Sequence, residues 1–408
     1  MRPVILVSMD WRRPQDGKTS LGIASIAAAL KNASVPVFLI EETINDPNFS
    51  VERVLEQVNC AVDRAGADCL VGFGVYVWND DEVCTLLGKL RSTCGINIVL
   101  GGPQISYMPK GQLEHAYPEA SYFVRGQGEK AMVQLAMNDD LHSCGIHIAG
   151  TTDQGLKADH DLEELPSPYL TGLIEPSSSI RWETQRGCPF KCSFCQHREP
   201  GNRLKNKMIG SQRLEKEAEL FARSGVERIS ILDPIFHVNN RKAIQRLASF
   251  KRVGLKAQLS LQCRLEMVTP EFLDALEGLN IFLEFGLQTV VPDEYKAIGR
   301  PNNLRKADLV IRELHKRNID FEISLIYGLP LQTLASFKES INWCQERGVT
   351  QIRAWPLMLL RGTPLYEEKL RYGFKESVDQ SIPIVIAGNS FTEDEHKEMA
   401  ILAEGLNS

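Results

Sequence analysis

Short apolar runs alternate with amphipathic stretches through most of this chain. In residues 1–150 the runs Val4–Ser8, Val35–Ile40, Cys69–Gly74, Ile96–Leu100 and Tyr122–Val124 read as short buried strands. Between them Gly22–Lys31, Val51–Ala65 and Asp80–Arg91 read as helices. Strand–helix alternation predicts a Rossmann-like, doubly wound parallel sheet, an α/β fold whose ligands sit beyond the carboxyl ends of the strands. The loops at those ends are chemically suggestive. One runs from Met9 to Leu21. Another carries Tyr76 and Trp78, a third Gly101-Gly102-Pro103-Gln104, and a fourth Gly126-Gln127-Gly128-Glu129. Glycine there lets backbone approach a large planar or phosphate-bearing ligand.

Residues 151–179, with Gly155, Pro166, Pro168, Gly172 and Pro176, read as a linker packed between domains. From 180 the alternation resumes. Strands are expected at Ile180–Gln185, Arg228–Leu232, Lys256–Leu261, Phe282–Gly286, Asp320–Ile326 and Gln351–Pro356. Helices are expected at Ser211–Arg223, Arg241–Arg252, Asn303–Lys316 and Leu334–Glu346. Six β/α units predict a partial (β/α)6 TIM barrel over 180–365, with its chemistry at the C-terminal strand ends. Residues 366–408 read as a short C-terminal extension.

Composition narrows the class. The 408 residues are 43% hydrophobic and 24% charged, with net charge −6. That suits an ordinary globular protein and, with no basic tract, argues against a nucleic-acid partner. No apolar run reaches 18 residues and the N-terminus reads as a strand, so neither a membrane span nor a signal peptide is expected. Ten cysteines without disulfide-like spacing fit a reducing, cytoplasmic setting. Cys60, Cys69, Cys84, Cys94, Cys144, Cys263 and Cys344 read mostly as small core residues.

The remaining three cysteines are Cys188, Cys192 and Cys195, in Arg186-Gly-Cys-Pro-Phe-Lys-Cys-Ser-Phe-Cys-Gln-His197. Three thiolates on one loop, spaced C-x3-C-x2-C, can hold three irons of a [4Fe–4S] cluster and leave the fourth open. Structural zinc on Cys188, Cys192, Cys195 and His197 is the plainer alternative, although zinc sites usually join two separated ligand pairs. The loop follows the first barrel strand, where barrel chemistry belongs.

This loop, with Phe194 before its last cysteine, resembles that of the radical SAM superfamily. The whole chain resembles the B12-binding-domain (cobalamin-dependent) group of that superfamily. The likeness rests on Ser20-Leu21-Gly22-Ile23, Gly101-Gly102-Pro103, Gly126-Gln127-Gly128-Glu129 and Leu165–Gly172 in the first half. In the second half it rests on the cysteine loop, Phe285-Gly286-Leu287-Gln288-Thr289, Ile326–Pro330 and Arg361–Leu365. The resemblance implies a [4Fe–4S] cluster on Cys188, Cys192 and Cys195, with S-adenosylmethionine (SAM) on its open iron. For SAM it implies Phe194, Asp233, Gln262, Arg264, Glu284, Gln288 and Arg300. A carboxylate suits ribose hydroxyls and a guanidinium the methionine carboxylate. Tyr327 and His237 are the expected catalytic side chains, His237 as acid–base group. Tyr76, Trp78, Gly101, Gly102, Gly126, Gly128 and Glu129 are expected to line a cobalamin site. Tyr107, Arg353, Trp355 and Arg361 are further candidates for substrate contact.

Two departures stand out. The loop Met9-Asp10-Trp11-Arg12-Arg13-Pro14 has no D-x-H-x-x-G histidine, and His396 reads as a solvated helix residue. The sequence ends at Ser408, without the further helical domain that relatives often carry. The leading expectation is a methyltransferase that makes a carbon radical from SAM and methylates an unactivated carbon of a small molecule or natural-product intermediate. Its partners would be that substrate and an external electron donor such as flavodoxin or ferredoxin, with no nucleic acid and no membrane. The alternative is a cobalamin-free enzyme with a vestigial B12-type domain, catalysing rearrangement, cyclisation or 3-amino-3-carboxypropyl transfer. A non-catalytic zinc or cluster protein, and a tRNA modifier, are less consistent with the polar strand ends and the acidic balance.

Overall fold

Seven consecutive buried residues, Val4–Asp10 (β1), form the strand around which the first unit is built. The computed structural model describes residues 1–407 except 15, 18, 67, 91–95, 140, 142, 144, 200–201, 204–206 and 379–381. It divides into two compact units, Met1–Pro176 and Ser177–Ser408.

In the first unit β1 is followed by α1 (Leu21–Asn32), β2 (Val37–Thr43), α2 (Val51–Ala65), β3 (Leu70–Gly74), α3 (Asp80–Leu90) and β4 (Asn97–Gly101). After two short helices, α4 (Pro103–Ser106) and α5 (Leu113–Ala116), come β5 (Tyr122–Val124), α6 (Gly128–Met137) and β6 (Ile146–Ile148). The sheet order is β2-β1-β3-β4-β5-β6, parallel except for β6, which the sequence did not announce. Parity explains why β1 is buried on both faces and apolar at Val4–Val7 and Met9. Val4 and Leu6 face a core with Ala27, Leu30, Met132 and Leu135. Ile5, Val7 and Met9 face the opposite core, with Val54, Val58, Val83 and Leu87. The strand order reverses direction between β1 and β3, which opens a crevice at their carboxyl ends.

The stretch expected to be a linker mostly belongs to this unit. Ala158 makes an isolated parallel bridge with Gly126, and Asp153 pairs with buried Arg125 at 2.7 Å. Burial alone would raise the Asp153 carboxyl, but bonds from Gly111, Arg125 and Gly155 hold it below its ordinary value.

The second unit starts with β7 (Ser179–Trp182). Short strands follow: β8 (Gln185–Arg186) pairs with β11 (Lys207–Met208), and β9 (Arg198–Glu199) with β10 (Asn202–Arg203). Then come α7 (Ser211–Arg223), β12 (Arg228–Ile231), α8 (Asn240–Arg252), β13 (Gln258–Cys263), α9 (Pro270–Leu276) and β14 (Ile281–Gln288). They are followed by α10 (Pro292–Ala297), α11 (Leu304–Lys316), β15 (Asp320–Tyr327), α12 (Leu334–Gln345) and β16 (Ile352–Pro356). Six parallel strands run in the order β16-β15-β14-β13-β12-β7, an open barrel. The remaining elements are α13 (Pro364–Glu367), β17 (Lys375–Glu376), β18 (Val385–Ala387) and α14 (Glu393–Asn407).

The barrel strands alternate where β1 does not. Outward residues such as Trp182, Ile231, Leu261, Phe285 and Leu325 are buried against the helices. Trp182, for example, meets Phe221 and Phe250. The inner face carries Arg181, Ser230, Ser260, Gln262, Glu284, Glu322 and Ser324, half-buried or exposed. The edge strand β16 is covered by α14. Asn407 Nδ2 donates to Ala354 O at 2.9 Å and its Oδ1 accepts from Ala354 N at 3.0 Å, as a neighbouring strand would.

Among the other cysteines, Cys69, Cys263 and Cys344 are buried, Cys60 and Cys84 are exposed, and Cys94 and Cys144 lie outside the described residues. No helix among the described residues is long and apolar enough to cross a membrane.

Gly102 and Gly126 need no ligand to explain them. Gly102 has φ +93°, and a Cβ there would sit 2.6 Å from Val75 O. At Gly126 a Cβ would meet Ala158 O at 2.5 Å. Gly101, whose Cβ would meet nothing closer than 3.8 Å, is the control. We expect Gly102→Ala to destabilise the fold by about 2 kcal/mol or more and Gly101→Ala by less than about 1. Thermal unfolding of the two variants checks this.

Candidate active site

The cysteine loop is held at both ends by buried polar groups. At its start, Asp233 lies just past β12 and is fully buried. Its Oδ1 accepts from the backbone of Thr184 (2.8 Å) and Gln185 (3.0 Å). Its Oδ2 accepts from the Thr184 hydroxyl and from Arg246 Nη1 at 3.2 Å. Burial pushes this carboxyl up to about 6, against the opposing pull of Arg246. Arg246 also donates to Phe236 O and stacks on that ring at 4.2 Å. Asp233 is therefore corrected from a ribose ligand to an anchor: its oxygens are taken up inside the barrel wall, two residues before Arg186 begins the loop.

The far side of the loop rests on the top of β14 and beyond. Ser193 N donates to Ile298 O at 2.8 Å, and Leu365 N donates to Ser193 O at 3.0 Å. Gln196 Nε2 donates to Arg361 O at 2.8 Å. Gly299, at φ +61°, lets the chain pass so close that a Cβ would lie 2.9 Å from Lys191 O. The Arg264 guanidinium covers the Phe190 ring at 4.1 Å. Arg300 Nη1 donates to Cys192 Sγ at 3.6 Å while its Nη2 donates to Gly286 O.

Cys188 and Cys192 are buried and Cys195 half-buried. Burial raises the Cys188 thiol, an effect that Arg264 and Arg300 oppose, and pushes Cys195 up to about 11. Among the described residues no three His, Cys, Asp or Glu side chains gather to hold a single metal ion. Three thiols on a clamped loop beside two buried guanidiniums fit a larger, anionic iron–sulfur group.

The structure sorts the other expected residues. Gln262 and Glu284 are register partners on the inner face, and Ser260 Oγ donates to Glu284. Gln288, at φ +73° beyond a bulge, folds its amide over Gly286 beside Arg300. Gln288 Oε1 and Arg300 Nε are buried without a partner among the described residues, two polar atoms left for a ligand next to the loop. Phe194 is half-buried beside Cys195. Trp355 is exposed, while Arg353 bonds Asn407 O and lies 3.7 Å from Glu322.

Three further expectations are corrected. Tyr327 points outward, its ring packed on Phe337 and His396, so it does not face the inner surface as a catalytic residue would. His396 is buried in that contact rather than solvated. His237 is fully buried and stacked on Phe272, so it reaches no substrate. Burial pushes its pKa down to about 4, against a weaker opposing contact with the Arg264 backbone. The sequence reading also missed Thr184 and Arg246. Arg246 was detectable, because it shares the apolar stripe Ala243, Leu247 and Phe250 of α8.

In the first unit, Tyr76 and Trp78 stack at 4.5 Å and 9° on the loop after β3. Asn79 fixes that loop, accepting from Tyr76 N and donating to Met9 O and Gly74 O. Burial, with Asp10 and Glu129 nearby, pushes the Tyr76 hydroxyl up to about 12. Glu129 lies 3.4 Å from His160 Nε2. At Gly128 a Cβ would meet the Ile26 side chain at 3.1 Å. Trp78 Nε1 and Arg12 Nη2 are buried without partners among the described residues. A stacked aromatic pair with unpaired donors at the β1/β3 crevice fits a large, flat, polar-edged group.

Residues 17–136 match the B12 binding domain family and residues 182–344 the radical SAM superfamily. The chain is 26% identical over 393 residues to the cobalamin-dependent radical SAM methyltransferase TokK of Streptomyces tokunonensis, covering 87% of this chain and 56% of that protein. It is 25% identical to the 2-(S-pantetheinyl)-carbapenam-3-carboxylate methyltransferase of Streptantibioticus cattleyicolor, covering 89% and 57%. The chain thus spans little more than half the length of these relatives. Among solved structures, the radical SAM methyltransferase TsrM of Kitasatospora setae superposes with TM-score 0.73 at 16% identity, covering 93% of this chain and 79% of that one. At that identity the likeness establishes the fold.

Asp233→Asn leaves Arg246 buried without its counter-charge, so we expect a loss on the order of 3 kcal/mol. Iron uptake should fall to less than about half of wild type, read as iron per chain after anaerobic reconstitution. His237 binds fewer protons folded than unfolded between its ordinary value and about 4. Stability should therefore be full above pH of about 6.5 and decline as pH falls towards 4, by up to roughly 3 kcal/mol. His237→Leu should flatten that decline in urea titrations at a series of pH values.

Proposed function

We propose that this chain, which carries a B12-binding domain followed by a radical SAM domain, is a cobalamin-dependent methyltransferase acting on an unactivated carbon of a small molecule. The observation that carries the proposal is the pairing of two sites in one chain: a clamped three-thiol loop on the barrel, and a β1/β3 crevice with an unpaired aromatic donor. Bound there, a [4Fe–4S] cluster with SAM would supply a carbon-centred radical and cobalamin a transferable methyl group.

The residues divide the work. Cys188, Cys192 and Cys195 hold the cluster and leave one position for SAM. Gln288 Oε1 and Arg300 Nε receive polar groups of SAM beside the loop, and Gln262 and Glu284 meet it on the inner face. Arg264 keeps Phe190 and the loop backbone in place. Tyr76 presents a neutral ring and hydroxyl, its pKa being far above neutrality, and Trp78 offers Nε1 to a polar edge of the corrin or its side chains. The polar inner face of the barrel suits a small, polar substrate. The reaction needs one electron at a time from an external low-potential donor.

After anaerobic reconstitution with iron, sulfide and hydroxocobalamin, the purified chain should hold about four irons and about one cobalt. It should also release S-adenosylhomocysteine from SAM only when cobalt is bound. Four irons with no retained cobalt would contradict the methyltransferase reading and favour cobalamin-free radical chemistry. Trp78→Ala should lower cobalt retention several-fold while leaving iron unchanged.

A further inference from the structure

Arg300 is nearly fully buried, and no carboxylate pairs with it among the described residues. The other guanidinium beside the thiols, on Arg264, is balanced by Glu266. Arg300 instead directs Nη1 at Cys192 Sγ, 3.6 Å away, and Nη2 at Gly286 O. Its position is enforced. Gly299 carries the backbone against Lys191, and Ile298 O holds Ser193 N, so the guanidinium is locked to the cysteine loop. A buried cation without a counter-charge is costly. An anionic group on the three thiols supplies that charge.

We propose that Arg300 sets the reduction potential of the cluster, an inference that rests on the cluster assignment above. A cluster on three thiolates gains one negative charge when it takes one electron from the reductant, with no proton required. An N–H···S bond and a guanidinium charge in contact with one of those thiolates favour the reduced form, because hydrogen bonds to sulfur and net local charge are levers on cluster potential. Arg300 therefore makes the cluster easier to reduce. This tuning runs through Nη1 and Cys192 and is separate from the contact of Nε with SAM.

The test is an EPR-monitored redox titration of the reconstituted full chain without SAM, comparing wild type with Arg300→Met, Arg300→Lys and Asn302→Ala. Asn302 Nδ2 holds Leu287 O and Thr289 O, so its loss loosens the same strand end without removing a charge. The expected result is a more negative midpoint for Arg300→Met, with the reduced fraction at the wild-type midpoint falling by about twofold or more. Arg300→Lys should show a smaller shift in the same direction, and Asn302→Ala none. If Arg300→Met takes up no iron, the lysine variant decides, and an unshifted midpoint there overturns the proposal. So does an unshifted Arg300→Met, or an Asn302→Ala shift as large as that of Arg300→Met. A wild-type chain that takes up no four-iron cluster removes the cluster assignment itself, which iron analysis reads separately from the potential.

Discussion

Three thiols on one loop can serve one cluster only if the loop cannot spread apart, and here that constraint is met by buried charge. Asp233, Thr184 and Arg246 fix the start of the loop to the end of β12. Arg300 fixes the middle to the end of β14 through Cys192 and Gly286. Each anchor is costly to bury alone and becomes favourable only when all partners are in place. The loop geometry is thus coupled to the correct closing of the barrel strands. Elements far apart in sequence, including Leu365 and Arg361, meet there.

The two units solve the burial problem in opposite ways. The sheet of the first unit is covered on both faces, so β1 is buried along its whole length and apolar from Val4 to Val7, with polar Ser8 and Asp10 only towards its carboxyl end. The barrel is covered on one face, so its strands alternate, and the half-covered inner face carries the polar side chains Ser260, Gln262, Glu284 and Glu322. In both units buried polar atoms are left without partners among the described residues: Trp78 Nε1 at the crevice, Gln288 Oε1 and Arg300 Nε beside the thiols.

Fold class was legible because the apolar runs are long and repeat with regular helices between them. Val51–Ala65, Ser211–Arg223 and Tyr122–Val124 were read to the residue. The antiparallel β6 was not legible, being three residues long after a polar stretch. The cysteine spacing identified the loop by itself. What failed was the side to which a strand-end residue points. In Asp320–Tyr327 the phenol shares parity with Phe321, Ile323 and Leu325, so it faces the helices, while Glu322 and Ser324 face inward. Alternation carried that information, but reading a polar tip as functional overrode it. Asp233 and His237 failed differently. Their loop folds back under the barrel wall, a tertiary contact with Arg246 and Phe272 that no local pattern encodes.

The central claim is that three cysteines hold a four-iron cluster with one open iron. It is tested most directly by the EPR spectrum of the reduced, reconstituted chain before and after adding SAM. A spectrum whose g-values change when SAM binds the open iron is the expected result. A spectrum indifferent to saturating SAM, or a chain that takes up zinc and no cluster, would contradict the account.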